Sequence, residues 1–210
     1  MSDTLPRLLR ASLARVVLAA YRTRFLHPER VPQGALILAG NHVSYLDPVL
    51  LWCGAPRPVH FMAKEELWHS RVLGAALNRL LAFPVRRGQA DRTALARATA
   101  LLEDGLVVGM FPEGTRRSAG HPEEPGEAHQ GVAFIAVRSG VPIVPVGIHG
   151  TAEALPRGAR LPRFPRVTVC YEEPVYPDDF SEGSRKERIE AMTREVMARI
   201  ESARRSAEEA

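Results

Sequence analysis

Cysteine is nearly absent from this 210-residue chain: Cys53 and Cys170 stand alone, with no CxxC spacing and no histidine cluster beside them. That excludes a disulfide framework, argues against a thiolate zinc site and makes a reducing compartment the simplest setting. Lysine is equally scarce, Lys64 and Lys186 being the only two among 28 basic side chains. Aromatics reach 6% and no groove-reading motif occurs, which disfavours nucleic-acid binding. No stretch approaches the ~18 uninterrupted apolar residues of a spanning helix. The most apolar region, Gly131 to Gly150, is broken by Arg138 and Ser139. Arg15 interrupts the N-terminal apolar run too early for a secretory leader, so neither export nor a membrane span is expected.

What is present describes a globular chain, with 45% hydrophobic residues, 25% charged residues and a formal charge of +4. At this length one domain buries about 70% of the surface its unfolded chain exposes, so no metal or cross-link is required to hold it. The basic excess is small, and its location matters more than its size. Residues 1–30 carry six arginines against Asp3 and Glu29, and Arg157, Arg160, Arg163 and Arg166 fall in an acid-free stretch from Ala154 to Tyr171. A GC-rich genome would produce the same arginine bias with no function behind it, so only particular positions carry a phosphate reading. At the helical period Leu5, Leu8, Leu9, Leu13, Val16, Val17 and Ala20 share one face of an N-terminal helix, and Arg7, Arg10, Arg15 and Arg22 the other. Such a helix either covers its own domain or lies in a membrane interface with its arginines at anionic headgroups.

From Pro32 onward short apolar runs alternate with helical stretches. Strands are expected at Ala35–Ala39, Val59–Ala63, Phe83–Arg86, Leu106–Phe111, Val141–Ile148 and Arg166–Tyr171. Helices are expected over Glu66–Leu81, from an Asp91 N-cap to Asp104-Gly105, over Gly131–Arg138, and from a Ser184 cap through Ile189, Met192, Val196 and Ile200. This alternation implies a mixed α/β fold, a largely buried sheet flanked by helices and preceded by the amphipathic segment. The expected organisation is an N-terminal helix over 1–30, one domain over 31–206 and a tail over 207–210. Ser118–His129 reads as an exposed loop and Arg199–Ala210 as a fraying charged end.

Two strand ends carry chemistry. Asn41-His42-Val43-Ser44-Tyr45-Leu46-Asp47-Pro48 follows the first buried strand. A histidine with a carboxylate on one ring nitrogen accepts a proton from a hydroxyl on the other. His42 and Asp47 are five residues apart, which on a regular helix would point them away from each other, so they meet only if the chain folds tightly between them. Pro48 is expected to hold Asp47 out of the helical region. Phe111-Pro112-Glu113-Gly114-Thr115-Arg116 follows another buried strand. Its glycine lets backbone approach a ligand, its threonine offers a hydroxyl and its arginine a phosphate-matching fork.

With Phe83-Pro84-Val85-Arg86 between them and Val141-Pro142-Ile143-Val144-Pro145-Val146 after them, these blocks resemble the phospholipid and glycerolipid acyltransferases of the lysophosphatidate acyltransferase type. The resemblance runs from about Gly40 to Val146. It implies His42 as general base on the free hydroxyl of 1-acyl-glycerol-3-phosphate, with Asp47 fixing its tautomer. Arg86, with Arg87 as a substitute in register, and Glu113, Gly114, Thr115 and Arg116 are then expected to hold the acceptor phosphate. Lys64 is expected near them, though a strand-end lysine is more often simply solvated. The acyl donor would be acyl-CoA or acyl-acyl carrier protein, with no bound cofactor and no metal. The other partner would be a membrane surface, with the protein peripheral on its cytoplasmic face. Many members carry a lysine or arginine where this chain has Ala128-His129-Gln130-Gly131.

Other readings give other expectations. The same transfer could use glycerol-3-phosphate, another lysophospholipid or a lyso-ornithine lipid as acceptor. Hydrolysis through Ser44 lacks a GxSxG elbow and has its serine only two residues from His42. A non-enzymatic lipid-binding module would leave His42 and Asp47 with structural roles only.

Overall fold

The structure is a computed structural model and describes residues 12, 14–86, 91–113, 127–154 and 163–210. The strands are β1 (Arg24–Leu26), β2 (Leu36–Gly40), β3 (Val59–Lys64), β4 (Phe83–Val85), β5 (Val107–Met110), β6 (Ile143–His149) and β7 (Thr168–Tyr171). Among the described residues these seven form one sheet in the order β1-β7-β6-β2-β5-β3-β4. From β6 to β4 every pair is parallel, while β7 runs antiparallel to β6 and carries β1 parallel to itself. The central strand, Leu-Ile-Leu-Ala-Gly, is buried at every position because helices cover both faces.

Side-chain alternation divides the core. Ile37 and Ala39 of β2 face α4 (Arg92–Glu103), α5 (Glu127–Ser139) and α7 (Arg185–Glu209), where Leu101, Ile135 and Met192 close one core. Leu36 and Leu38 face the other way, onto Leu50, Leu51 and Trp52 of α2 (Asp47–Gly54) and onto Tyr21, just past α1 (residues 14–20). The remaining helices are α3 (Arg71–Arg79) and α6 (Thr151–Ala154). No helix among the described residues is long and apolar enough to cross a membrane.

Several boundaries differ from those the sequence suggests. The N-terminal helix does not run through 1–30: it ends by residue 20, Arg22 takes φ 45°, and the chain enters β1 and then a 3-10 turn at Pro28–Arg30. Backbone pairing with β7 is available to residues 24–26 and outweighs helical continuation, so this segment is built into the sheet. Its arginines serve the same end. Arg22 Nη2 donates to Phe164 O at 2.9 Å, Arg24 Nη1 donates to Ala210 O at 2.9 Å, and Arg30 Nε lies 2.8 Å from a Glu173 carboxylate oxygen. Ala14 is buried, and Val17 and Leu18 pack against the α2-side core. Residues 1–11, 157 and 160 lie outside the described residues.

Glu66–Leu81 is not one helix. A 3-10 helix over Glu65–His69 gives way to α3 at Ser70, whose hydroxyl caps the new helix by accepting from Leu73 N at 3.3 Å. His129 falls in α5 and not in a loop, whereas residues 114–126 are not described. The C-terminal end does not fray: α7 continues to Glu209, so 207–210 is no separate tail. Gly147 of β6 permits that, since a Cβ there would enter the α7 backbone at Ala203 and Arg204, and Ala203 and Ala207 are buried beside Cys170. Asp91 and Ser184 cap their helices as the sequence suggests, Asp91 accepting from Thr93 N and Ala94 N and Ser184 closing a capping box with Glu187.

Candidate active site

The carboxyl ends of β6, β2, β5, β3 and β4 share one edge of the sheet, because those strands are parallel. From neighbouring β2 and β5 the chain departs in opposite directions, β2 through α2 toward β3 and β5 through α5 to β6. Divergence of this kind opens a crevice outside the strand ends, the usual ligand position in such sheets. His42 follows β2 there, and Phe111, Pro112 and Glu113 follow β5.

His42 Nδ1 and Asp47 Oδ2 are 2.9 Å apart. The tight fold between them comes from the carboxylate itself, since the same Oδ2 accepts from the backbone N–H of Val43 and of Ser44, each at 2.8 Å. Asp47 is not kept out of the helix by Pro48. It opens α2, because a proline in the first helical turn loses an N–H that would have no partner there anyway. The helix N-terminus adds its partial positive charge to three donors, which together hold a carboxylate that is fully buried. An ionised carboxylate only accepts, so Nδ1 carries the proton and Nε2 presents its lone pair. No described residue hydrogen-bonds Nε2.

Two further contacts, one holding the backbone just before His42 and one on its ring, carry no strong signal in the sequence. Asn41 is buried and treats β6 as a ladder partner: its Nδ2 donates to Ile148 O at 2.9 Å and its Oδ1 accepts from Ile148 N at 2.7 Å. The Phe111 ring stacks on His42 with centroids 4.3 Å apart and planes 21° apart, and Phe61 stacks on Phe111 in turn at 5.9 Å. Gly109 makes room for that column, because a Cβ at this position would run into the Phe61 ring. Asn41 and Phe111 lie inside the two motif blocks and could have been read there as supports for the histidine.

The phosphate-binding candidates are only partly described. Glu113 is half-buried after β5; Gly114, Thr115, Arg116 and the alternative Arg87 lie outside the described residues. Lys64 ends β3 and Arg86 follows β4, so along the edge they come one and two strands beyond β5. At ~4.8 Å per strand Arg86 stands about 14 Å from the β2 end, within reach of a phosphate held over β5 and β3 but not of His42 itself. Both cations are paired: Arg86 Nε donates to Glu65 Oε2 at 2.8 Å, and Lys64 Nζ lies 3.0 Å from Glu66 Oε1. The hydrogen bond it donates to Glu65 holds the pKa of the Arg86 guanidinium above its ordinary value. Ser44 is buried and its Oγ accepts from Leu46 N at 3.3 Å, a position inside the turn and not that of an exposed nucleophile. Among the described residues no group of three or more His, Cys, Asp or Glu could hold a metal.

The acyltransferase family model matches residues 22–149. A 1-acyl-sn-glycerol-3-phosphate acyltransferase of Bacillus subtilis is 31% identical over 174 residues, 82% of this chain and 83% of that protein. A chloroplastic 1-acyl-sn-glycerol-3-phosphate acyltransferase of Brassica napus is 29% identical over 163 residues, where the match covers 74% of this chain but only 46% of the plant protein. The crystal structure of the 1-acyl-sn-glycerophosphate acyltransferase of Thermotoga maritima superposes with a TM-score of 0.70 at 27% identity, over 95% of this chain and 77% of that one. With a family model spanning more than half of its length, and a bacterial relative aligned over most of both sequences, the chain belongs to the acyltransferase family.

Proposed function

We propose that this acyltransferase moves a fatty acyl group from a thioester donor, acyl-CoA or acyl-acyl carrier protein, to the free hydroxyl of 1-acyl-glycerol-3-phosphate, giving phosphatidate. The observation that carries the reading is the His42–Asp47 bond, which leaves Nε2 unpartnered among the described residues at the crevice where the Phe111–Glu113 segment begins. Nε2 takes the hydroxyl proton as the oxygen attacks the thioester carbonyl. The tetrahedral intermediate then collapses, the C–S bond breaks, and the imidazolium returns its proton to the departing sulfur. Asp47 stabilises that imidazolium and holds the ring. Base catalysis of this kind supplies ~10²–10⁴ in rate, so positioning of the acceptor must supply the rest. Arg86 and Lys64 with the Glu113–Arg116 segment are the groups suited to that task. The substrates imply work at the cytoplasmic face of a membrane.

The test is thiol release from an acyl-CoA and from an acyl carrier protein thioester, each offered a panel of acceptors. The panel holds 1-acyl-glycerol-3-phosphate, glycerol-3-phosphate, a zwitterionic lysophospholipid, a lyso-ornithine lipid and a phosphate-free monoacylglycerol. Preference for 1-acyl-glycerol-3-phosphate is expected; turnover of the phosphate-free acceptors alone would overturn the assignment. His42→Ala should keep the fold and lose transfer by at least ~10².

A further inference from the structure

Helix α3 leaves large apolar side chains in water beside its polar ones. Gly74, its one buried residue, lies against Trp68, and Leu77 is half-buried; Asn78 is exposed, its Oδ1 accepting from Trp68 Nε1 at 2.9 Å. The outward side of α3 carries Val72, 83% exposed, Leu73, 41% exposed, and Ala75 and Ala76, also exposed. A surface helix ordinarily turns its apolar stripe to the core and its polar residues to water. Arg71 and Arg79 stand at the two ends of α3 without a carboxylate partner among the described residues, and the sequence holds no acid from Leu67 to Arg86. The helix leaves the carboxyl end of β3 through the 3-10 turn just after Lys64, at the same edge of the sheet as His42.

We propose that α3 is a membrane-docking element, an interfacial helix that lays Val72, Leu73 and Ala76 into the headgroup boundary of an anionic bilayer, with Arg71 and Arg79 at lipid phosphates. A small apolar face between guanidiniums that have no carboxylate partner among the described residues is complementary to such a surface. It is a poor match for a second copy of the chain, since nine residues of helix offer far less than the ~800 Å² per partner of a standard protein interface. The sequence pattern allows the N-terminal helix either an interfacial role or a place on its own domain, and the described part turns Ala14, Val17 and Leu18 onto the domain while Val16 stays exposed. The proposal rests on the acyltransferase reading only in supplying a reason for docking: a lipid acceptor can then pass from bilayer to crevice at one edge. Docking is measured without turnover, so the two can fail separately.

The experiment is co-sedimentation of the full chain with vesicles of phosphatidylcholine alone and of phosphatidylcholine with phosphatidylglycerol. Arg71→Gln with Arg79→Gln should lower partition onto the anionic vesicles about twenty-five-fold, each arginine contributing about fivefold, and leave the neutral vesicles unaffected. Val72→Asp with Leu73→Asp should lower partition on both by at least about tenfold. Val72→Trp should tighten it, a gain that a misfolded protein cannot show. Thiol release with a soluble short-chain acceptor should be the same in all of them. Vesicle binding unchanged by the aspartates overturns the proposal. So does loss of self-association in their place, which would assign the face to a second copy of the chain.

Discussion

Replacing Asp47 by asparagine removes one charge from the site and leaves its volume alone. Oδ2 of Asp47 serves His42 Nδ1 at 2.9 Å and the Val43 and Ser44 amides at 2.8 Å each, all three of them donors. The amide oxygen of the variant must therefore occupy that position, because turning the NH2 group there would set donor against three donors. Hence the tautomer survives, and what is lost is the anion facing the imidazolium. Two unit charges ~4 Å apart at an effective dielectric of ~20 interact by about 4 kcal/mol. If that stabilisation is expressed in the transition state, kcat falls by about 10³. Stability should change far less, by no more than about 2 kcal/mol, since weaker hydrogen bonds are offset by relief of a buried charge. Asp47→Ala is the contrasting case, because it strips two backbone amides of their acceptor at about 1–3 kcal/mol each and should loosen the turn. The assay is thiol release at saturating acceptor, with thermal melts of the same preparations. A kcat close to the parent's in a well-folded Asp47→Asn protein would reduce Asp47 to a turn cap and remove the charge argument. A raised KM at unchanged kcat would move the residue from catalysis to binding.

Glu65→Gln should free the Arg86 guanidinium now bonded at 2.8 Å and lower the KM for a phosphate-bearing acceptor about threefold at constant kcat, as expected for an exposed pair; a higher KM would show Glu65 helping the acceptor to bind. Ser44→Ala removes only the 3.3 Å bond from Leu46 N and should leave turnover nearly intact, whereas an acyl group found on Ser44 by mass spectrometry would replace direct transfer with an acyl-serine route. Gly147→Ala forces a methyl into the α7 backbone at Ala203 and Arg204 and should cost about 3 kcal/mol or more in urea unfolding; a variant as stable as its parent would show that α7 is not seated on β6 as described. Burial holds the His60 imidazole below its ordinary value, so the folded protein disfavours its proton more than the unfolded chain does. Its contribution to stability is complete above the unfolded value near 6.5 and diminishes as pH falls through that value toward the folded one. Melts between about pH 7.5 and 5.5 should be less acid-sensitive in His60→Gln, and equal sensitivity would refute the assignment.

Much of the fold is legible in the residues because its signals are local. Each strand from β2 to β7 overlaps a run of apolar residues marked out by the sequence, and the Asp91 and Ser184 caps show in side chains that can reach only their own helices. Nonlocal events escape that reading. β1 becomes a strand because β7 arrives 144 residues later to pair with it, and the last turns of α7 are held by a glycine on β6. Spacing makes the contact between His42 and Asp47 conditional on a tight fold without revealing its cause: two amides and a carboxylate make the turn, and Pro48, expected to hold Asp47 out of the helix, merely tolerates the first turn of α2. The column from Gly109 through Phe61 and Phe111 to His42 needs the strand order β3-β5-β2, which composition and spacing do not encode.

The paired bonds from Asn41 to Ile148 make the sheet one rung longer than its backbone. A loop fastened in that way opens only when the centre of the sheet opens, so amides on either side of the base should exchange with solvent as slowly as those of β2. A proton acceptor that does not breathe cannot adjust itself to different lipids. Rate differences among acceptors would then record how well each carries its own hydroxyl to a stationary nitrogen, and selection for a new headgroup would act on the distant β3–β4 margin before it touched the motif.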